Sequence, residues 1–381
     1  MIGLATPFIT NNYGTKLQAF ALHHYLEENG WDNEIINYRF GQKQFNLKKL
    51  FLPNRKEYRR INRERQEALS KQPDVKKNID VRNKRFERFT QNSYALSERC
   101  DTLEDVNRLA EVRYSAVVCG SDQIWLPSHA LEKYYLLDFL PDSVKKIAYA
   151  PSFGVSTIPG IVRSNYRKAL EKFDVVTVRE DTGASLIKEL TGKDCPVVVD
   201  PTLLLTANQW IELLKIERPL IQGKYVLAYF IGAAEEHREK ARAYAKAHNL
   251  KLVILPNIDE IVKADTEYAD EPLYDAGPDD FVNLIKNAEA VFTDSFHGTV
   301  FSLIFQRNIY CFERFNKTSK TSTNSRIYSL LSKTHLQSRL VSDMEADLPV
   351  DTIDYTCVLR DIDLLRASST RILEEALKDE R

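Results

Sequence analysis

The sequence alternates short apolar runs with polar turns and amphipathic segments, and this alternation restricts the chain to parallel α/β folds. An apolar run at residues 2–6 is followed by apolar residues at helical spacing up to Gly30, and then by a second apolar run at residues 34–38. A strand, a helix and a strand in this order form the βαβ unit of a parallel sheet. Because the same order recurs in the second half of the chain, the sequence predicts an α/β fold with two Rossmann-like domains that face a cleft.

Domain boundaries follow from length and from one proline. The 381 residues suit two domains of ordinary size. Pro201 follows the apolar run CPVVVD, and because proline cannot continue a central strand, the chain must turn there. We therefore expect a first domain at residues 1–206 and a second at 207–345. A C-terminal segment at 346–381 is expected to form a helix that packs back on the first domain.

Residues 41–90 form a basic helical insertion in the first domain. They contain 16 Lys and Arg but 6 Asp and Glu, a local charge of +10, which leaves −11 for the rest of the chain. Two interpretations stay open: a solvated helical insertion, or a basic face that meets an anionic membrane surface or a diphosphate-bearing partner. The net charge of the whole chain is −1, which argues against a general nucleic-acid binder.

Cysteine usage and the N-terminal sequence indicate the cellular compartment. Five cysteines, an odd number without a C-x-x-C pair, predict neither a disulfide framework nor a zinc site and favour a reducing compartment. The start, MIGLATPFIT, lacks the basic residues and long apolar run of a signal peptide, and no apolar stretch approaches about 18 residues. We expect a cytoplasmic protein, with peripheral attachment to the inner face of the membrane as an open alternative, and we expect no metal and no cofactor.

Polar turns follow the predicted strands, at the sheet edge where α/β domains bind ligands. In VFTDSFHGTVFSL, residues 291–303, the turn holds Ser295, His297 and Gly298 and opens a helix. The free N–H groups and the dipole of a helix start favour a phosphate or a carboxylate, and Gly298 allows close backbone approach. His297 can add a hydrogen bond or donate a proton near neutral pH. A histidine that only caps the turn is the alternative.

Two further turns carry candidate side chains. Arg179 follows the predicted strand VVTV and can bind a phosphate or carboxylate in a bidentate manner, although an ion pair with Glu180 or Asp181 is equally consistent with the sequence. Asp122 in CGSDQIW can act as a general base or hold a sugar hydroxyl, unless it is an N-cap. In the same turn Trp125 can stack on a sugar face, unless it belongs to the core.

Two weaker signals complete the set. Asn12 and Tyr13 open the first helix and can hold an anion, although no G-x-G-x-x-G or P-loop pattern occurs, which argues against a dinucleotide oxidoreductase and a P-loop enzyme. Residues 318–326, TSKTSTNSR, are polar and basic and carry Lys320 and Arg326, with Lys317 before them. This segment is typical of a mobile loop over a cleft, and a plain surface loop is the alternative.

Seven short motifs in order resemble the polysaccharide pyruvyltransferase family. They are NYGTKLQAFAL, VVCGSDQIW, IAYAPSFG, VREDTG, VVDPTLLL, TDSFHGTVFSL and NSRIYSLL, and they run over residues 12–331 without the basic insertion. The resemblance implies the GT-B arrangement of two Rossmann-like domains. It also implies transfer of a pyruvyl group from phosphoenolpyruvate to a sugar of galactose type, commonly as a cyclic ketal, in a precursor of a bacterial capsular or exopolysaccharide. We expect that precursor to be linked to a lipid diphosphate.

The resemblance also implies roles for single residues. In the family, a histidine of an arginine-leucine-histidine-glycine motif and an arginine of the first domain contact phosphoenolpyruvate; His297 matches the histidine and Arg179 the arginine. Ser295 stands where the family has arginine, so we hypothesise that Arg326 supplies the missing positive charge. Ser295 and Gly298 are also expected to contact phosphoenolpyruvate. The expected catalytic residues are His297, as acid or phosphate contact, and Asp122. The expected acceptor contacts are Asp122, Gln123, Trp125, Asn12, Tyr13 and Ser152.

Two other functions stay open at this point. A nucleotide-sugar-dependent glycosyltransferase of GT-B fold would also place helix starts against a diphosphate, and it would bind a nucleotide sugar. A glycan-binding module without activity would bind the acceptor but release no phosphate.

Overall fold

The prediction of two Rossmann-like α/β domains is confirmed. The computed structural model describes residues 1–39, 55–314 and 324–380, without the side chains of residues 55–59 and 62. In this part of the chain the strands form two sheets, one of five and one of six strands, and every strand pair in them is parallel. Among the described helices, none is both long and apolar enough to cross a membrane.

The first domain contains the five-stranded sheet in the order β2-β1-β3-β4-β5. Strand order reverses between β1 and β3, which makes the carboxyl ends of these two strands the expected ligand site of this domain. Its strands are β1 (Ile2–Ala5), β2 (Asn33–Ile35), β3 (Ala116–Cys119), β4 (Lys145–Ala148) and β5 (Val175–Val176). Its helices are α1 (Tyr13–Glu28), α2 (Arg55–Ser70), α3 (Pro73–Ser93), α4 (Leu103–Arg113), α5 (Gly160–Leu170) and α6 (Asp181–Thr191).

The second domain contains the six-stranded sheet in the order β11-β10-β9-β6-β7-β8, with its reversal between β6 and β9. Its strands are β6 (Tyr225–Tyr229), β7 (Lys251–Leu255), β8 (Glu271–Pro272), β9 (Ala290–Thr293), β10 (Asn308–Phe312) and β11 (Leu340–Val341). The helices from residue 207 onward are α7 (Ala207–Leu213), α8 (Glu235–Ala247), α9 (Ala264–Glu267), α10 (Pro278–Asn287), α11 (Phe296–Ile304), α12 (Ser325–Lys333) and α13 (Tyr355–Leu377). Short 3₁₀ turns lie at His129–Leu131, Tyr134–Leu136, Pro201–Leu203 and Gln337–Arg339.

Two N-caps fix where the helices nearest the cleft begin. Asn12 accepts the backbone N–H of Thr15 at 3.1 Å, so α1 begins at Tyr13. Ser295 accepts the N–H of Gly298 at 3.2 Å and starts α11. Because a side-chain cap satisfies a backbone donor that the helix cannot, these residues define the helix starts. His297 and Gly298 therefore lie in the first turn of α11 rather than in the loop before it.

One predicted strand is wrong. The run CPVVVD was expected to form a full strand, but the structure has only an isolated bridge between Val178 and Val197 there. The backbone N–H groups of Val178 and Val198 bond across this bridge to Pro196 and Val178. Pro196 has no N–H to donate to a ladder, and Pro201 starts a 3₁₀ turn, so the pairing cannot extend in either direction.

The C-terminal helix α13 contacts both domains. On the first domain, the Trp31 indole donates to the carbonyl of Leu377 at 3.2 Å and the N–H of Val199 donates to Ser369 at 3.0 Å. At its other end, the Tyr355 hydroxyl donates to the carbonyl of Arg307 in the second domain. The last helix therefore connects the two domains.

The described part of the basic insertion packs against the second domain. Residues 40–54 lie outside the described residues, whereas α2 and α3 follow with defined contacts. Leu69 and Ile79 form an apolar cluster with Tyr274, and Arg85 pairs with Asp280. One side of the insertion is therefore used for contact between domains, a role that neither interpretation of the sequence included.

Candidate functional site

The start of α1 forms the junction between the two domains. The Tyr13 ring stacks on Phe281 of the second domain with centroids 4.8 Å apart, and its hydroxyl donates to the carbonyl of Ala276 at 3.1 Å. The next residue, Gly14, lies directly against His297. A Cβ atom on Gly14 would lie 1.9 Å from Nδ1 of His297, so only glycine allows this approach. Tyr13, predicted as an acceptor contact, is therefore engaged in the domain interface.

Arg179 lies after β5 with its guanidinium buried at the domain interface. Its Nη1 donates to Oδ2 of Asp200 at 2.5 Å, and its Nη2 lies 3.7 Å from Oδ1 of Asp122. The planar group stacks over the ring of Phe296 at 4.5 Å. In the described part of the chain, Nε and Nη2 have no hydrogen-bond partner. Because buried guanidinium N–H groups are costly to leave unpaired, these two atoms favour an oxygen-rich anion as their partner.

His297 faces Asp200 from the other domain. Its Nε2 lies 3.6 Å from Oδ1 of Asp200, and the residue is 6% exposed. Within the described residues, Nε2 has no hydrogen-bond partner. The ring is placed by Gly14 on one side and by an edge contact to Phe296 at 5.2 Å. A buried imidazole with one unbonded nitrogen can exchange a proton with a bound ligand.

Asp200 is the residue that links Arg179 and His297, and the sequence interpretation treated it only as part of a turn. It accepts hydrogen bonds from the N–H and hydroxyl of Thr202 at 3.0 and 2.7 Å. Burial alone raises the pKa of the Asp200 carboxyl, but the charges of His297 and Arg179 and these hydrogen bonds outweigh it and hold the pKa well below its usual range. Asp200 is therefore a carboxylate that orients both groups. Its position, directly after an apolar run, is the same signal that identified Arg179.

Asp122 adds a half-buried carboxylate to the charged groups of the first domain. It follows β3 with φ at +71°, and the hydroxyl of Thr15 donates to its Oδ2 at 2.6 Å. Burial acts to raise the pKa of the Asp122 carboxyl, but the charges of Arg179 and His297 and the Thr15 hydrogen bond lower it overall. A residue in this rare backbone region is held there by its surroundings. Asp122 is therefore a fixed carboxylate that can accept a proton or a hydroxyl hydrogen bond.

Two more arginines come from the second domain. Arg326 lies in the first turn of α12, 5.8 Å from the Phe296 ring centroid. Burial and the charges of Arg179 and Arg314 lower the pKa of Arg326 to about 9. Arg314 donates to the carbonyl of Asp294 at 3.2 Å. Arg326 therefore lies in a positive field that a bound anion would relieve, and Arg314, which follows β10, was missed in the sequence although it too lies after a strand.

Ser152 and Glu180 pack beside Arg179. The Ser152 hydroxyl donates to Oε1 of Glu180 at 2.8 Å, and Ser152 is fully buried. Burial raises the pKa of the Glu180 carboxyl, while the charge of Arg179 acts in the opposite direction. Ser152, predicted as an acceptor contact, is thus committed to Glu180.

The remaining predicted acceptor contacts fall in different places. Trp125 is fully buried, and its indole N–H donates to the carbonyl of Tyr135 at 3.1 Å, so it has no exposed ring face for a sugar. Gln123 is half-buried, and its Nε2 has no hydrogen-bond partner within the described residues. Asn12 is half-buried and lines a cavity between the domains. Lys317 and Lys320 lie outside the described residues, whereas Arg326, from the described end of the predicted loop segment, reaches the site.

At the carboxyl ends of β6 and β9 in the second sheet, a side chain of the protein already binds the backbone N–H groups. Asp294 follows β9 and accepts the backbone N–H groups of Ile231 and Gly232, both at 2.7 Å. These N–H groups lie in the loop between β6 and α8, at the switch point of the second sheet, and their bonds to Asp294 leave them unavailable to a ligand. Among the described residues, no group of three His, Cys, Asp or Glu side chains is placed to hold a metal ion.

Fold and site together define a two-domain α/β protein whose cleft holds a buried centre of arginine, histidine and carboxylate groups contributed by both domains. The chain belongs to the polysaccharide pyruvyl transferase family, whose sequence model matches residues 12–314. The resemblance found in the sequence motifs is confirmed, and the protein is a polysaccharide-modifying transferase.

Solved structures with low sequence identity are similar to the chain. UDP-GlcNAc 2-epimerase from Methanocaldococcus jannaschii has a TM-score of 0.47 and 12% identity, over 96% of this chain and 91% of that chain. UDP-GlcNAc 2-epimerase from Neisseria meningitidis has a TM-score of 0.45 and 11% identity, over 99% and 94%. ADP-heptose LPS heptosyltransferase II from E. coli has a TM-score of 0.35 and 12% identity, over 97% and 99%. A comparison with curated protein sequences gave no match.

Proposed function

We propose that the protein transfers the pyruvyl group of phosphoenolpyruvate onto two hydroxyl groups of a sugar and forms a cyclic ketal. The sugar is of galactose type and belongs to a precursor of a bacterial capsular or exopolysaccharide. The observation that carries this proposal is the meeting of Arg179 from the first domain with His297 from the second at the Asp200 carboxylate, with Arg326 close to the same Phe296 ring that Arg179 contacts.

The donor needs positive charge from several directions, because phosphoenolpyruvate carries a phosphate and a carboxylate. Within the described residues, Arg179 has two guanidinium nitrogens without a hydrogen-bond partner, and Arg326 lies in the positive field of its neighbours. Bidentate arginine contacts suit both anionic groups. Helix α11 begins at the same place, so its positive dipole end adds to this field.

The reaction requires an acid, a base and a leaving phosphate. His297 donates a proton to C3 of phosphoenolpyruvate, which makes C2 electrophilic, and a sugar hydroxyl forms a bond to C2 while Asp122 takes its proton. The bond between C2 and the phosphate oxygen then breaks, and the second hydroxyl closes the ring. One hydroxyl proton restores His297 and the other leaves with the phosphate, so the products are the ketal and inorganic phosphate.

The nucleotide-sugar alternative is less well supported. A glycosyltransferase of this architecture would bind a nucleotide diphosphate at the second sheet, whereas Asp294 occupies the Ile231 and Gly232 N–H groups there.

The test is an incubation with phosphoenolpyruvate and galactosides, followed by measurement of phosphate release and product mass. We expect phosphate release together with a product heavier by one pyruvyl ketal. A parallel incubation with nucleotide sugars serves as the comparison. Glycosyl transfer from a nucleotide sugar, without phosphate release from phosphoenolpyruvate, would overturn the proposal.

A further inference from the structure

Arg179 keeps one edge of its guanidinium group for a ligand. Its Nη1 is bonded to Asp200, whereas Nε and Nη2, which share one edge of the planar group, have no hydrogen-bond partner within the described residues. The side chain is 1% exposed, so bulk water does not solvate this edge. Two N–H groups on one edge bind a carboxylate or a phosphate in a bidentate manner. An anionic group of the donor is therefore expected there.

Two carboxylates flank the same edge. Oδ1 of Asp122 lies 3.7 Å from Nη2 of Arg179, and Oε2 of Glu180 lies 4.0 Å from its Nε. Neither distance is that of a hydrogen bond. In the described part of the chain, Oε2 of Glu180 has no hydrogen-bond partner either. An anion bound to this edge would lie beside both carboxylates, and like charges this close favour the neutral form of one of them.

Glu180 accepts a proton more readily than Asp122. Burial acts to raise the pKa of Asp122, but the charges of Arg179 and His297 lower it overall. Burial also raises the pKa of Glu180, and here the charges of Arg179 and Arg326 oppose the shift only in part. When an anion adds its negative charge to this site, Glu180 is therefore the group that becomes neutral.

The Glu180 carboxyl is held with one oxygen towards Arg179. Its Oε1 accepts the hydroxyl of Ser152 at 2.8 Å, and the residue is 2% exposed. Glu180 is the N-cap of α6, but its side chain makes no capping bond. The charged groups that act on it most strongly are Arg179 of its own loop and Arg326 of α12. A proton on Oε2 would thus be placed to bond a ligand of Arg179.

We propose that Glu180 takes up a proton from solvent when phosphoenolpyruvate binds, and that its Oε2 then donates a hydrogen bond to the anionic group held by Arg179. The inference rests on the proposed function, since it takes phosphoenolpyruvate as the anion. Because binding consumes a proton, the affinity for the donor falls as pH rises over the range in which Glu180 is ionised in the free enzyme.

The first measurement is the number of protons taken up when phosphoenolpyruvate binds to the full chain, by calorimetry in buffers with different heats of ionisation. The second pKa of a phosphate monoester is about 6, so between about pH 7.5 and 9 the donor itself brings no proton. Glu180→Gln should take up about one proton fewer than the wild type, because its amide is already a neutral donor. Asp181→Asn is the matched control: this neighbouring carboxylate is 63% exposed and pairs with Lys333, so proton uptake should stay unchanged.

The second measurement is the pH dependence of the Kd for phosphoenolpyruvate. In the wild type, loss of the Glu180 proton should raise the Kd by up to about tenfold per pH unit, and Glu180→Gln should remove this contribution. Glu180→Ala should bind the donor about tenfold more weakly than Glu180→Gln, because it lacks the hydrogen-bond donor. Equal Kd values in these two variants would show that Glu180 donates no bond to the ligand.

Failure of this inference and failure of the proposed function give different results. Equal proton uptake by the wild type and Glu180→Gln would overturn the inference while donor binding and transfer persist. Sulfate, which keeps its charge throughout this pH range, serves as the second probe. Sulfate binding with a proton uptake that Glu180→Gln abolishes, without binding of phosphoenolpyruvate, would support the protonation of Glu180 and overturn the proposed function. If neither anion bound, both would be overturned.

Discussion

The two domains have the same kind of parallel sheet but use its switch point in opposite ways. At the switch point of the first domain, Asp122 follows β3 and its carboxylate faces the cleft. Arg179, which follows the edge strand β5, keeps two nitrogens unbonded within the described residues. After β9 of the second domain, the Asp294 carboxylate bonds the backbone of Ile231 and Gly232, and His297 in the helix turn that follows faces Asp200 of the first domain. Topology alone therefore does not decide where a ligand binds. The side chains of the loops decide which edge stays available.

The largest expected effect concerns His297, which faces Asp200 of the first domain. His297→Ala should lower turnover by at least about a hundredfold, because a positioned proton donor contributes on that scale. Phosphate release from phosphoenolpyruvate measures it. His335→Ala, an exposed histidine in the same domain, is the control and should keep normal turnover. Near-normal turnover of His297→Ala would remove this residue from the mechanism.

The contrast between the two switch points can be tested with one matched pair. Asp122→Asn should lower turnover about a hundredfold with a small change in Tm, because it removes a proton acceptor at the cleft. Asp294→Asn should lower stability by about 1–3 kcal/mol, because one of the two half-buried N–H groups loses its acceptor and the ion pair with Arg314 is lost, and should affect turnover less. Thermal unfolding and turnover are measured on both. If the two variants lost activity equally, the proposed difference between the domains would be wrong.

Asp200 should contribute to stability over a defined pH range. Its folded pKa lies below its unfolded value, so the stabilisation is present above about pH 4 and is lost as pH falls through the lowered folded pKa. Asp200→Asn should cost about 3–5 kcal/mol at pH 7, because it leaves Arg179 without its closest partner. Denaturant unfolding from pH 7 downward should show this difference constant to about pH 4 and smaller below it. A difference that disappears at pH 6 would contradict the ionised Asp200.

A substitution at Gly14 tests whether the close approach of this residue to His297 is needed for turnover. Gly14→Ala should lower turnover about thirtyfold, because the new methyl group displaces the His297 ring and small displacements of catalytic groups are costly. Gly160→Ala is the matched control, since it too lies at a helix start and a Cβ there meets nothing within 4 Å. It should leave turnover unchanged and raise stability by about 0.5 kcal/mol. Equal turnover in both variants would show that this close approach is unimportant.

The smallest expected effect tests Arg326 as the replacement for the family arginine at Ser295. Arg326→Ala should raise the KM for phosphoenolpyruvate about tenfold with little change in kcat, since it removes one charge-assisted contact to the donor. Lys333→Ala, on the same helix, pairs with Asp181 and should leave KM unchanged. An unchanged KM in Arg326→Ala would leave Arg314 as the better candidate for this charge.

The sequence identified the residues whose position follows from local order, and missed those that depend on distant contacts. His297 and Arg179 follow predicted strands. The rule that ligands bind at the carboxyl ends of parallel strands was therefore sufficient to identify them. Arg314 follows β10 and Asp200 follows an apolar run that was read as a strand, so both could have been found with the same rule. Tyr13 could not be assigned, because its partner Phe281 is far away in the sequence and an aromatic residue at a helix start suits a ligand or a domain contact equally. The fold class needed only the alternation of strands and helices.

Packing of the insertion could not be predicted for the same reason. The charge of residues 41–90 indicated a segment that faces solvent or an anionic partner. The contacts of Arg65 with Ile258 and of Ile79 with Tyr274 were not predictable, because they join segments that are distant in sequence. Trp125 is the opposite case. By its sequence position after a strand it suits contact with a ligand, but its side chain is fully buried in the core, which the sequence alone does not show.

Helix α13 has a mechanical consequence. It is hydrogen-bonded to the first domain near Trp31 and to the second at Arg307, so the two domains cannot rotate apart unless one of these attachments breaks. The width of the cleft, and with it the passage of a bulky acceptor, is therefore coupled to a helix that supplies none of the charged groups described at the centre.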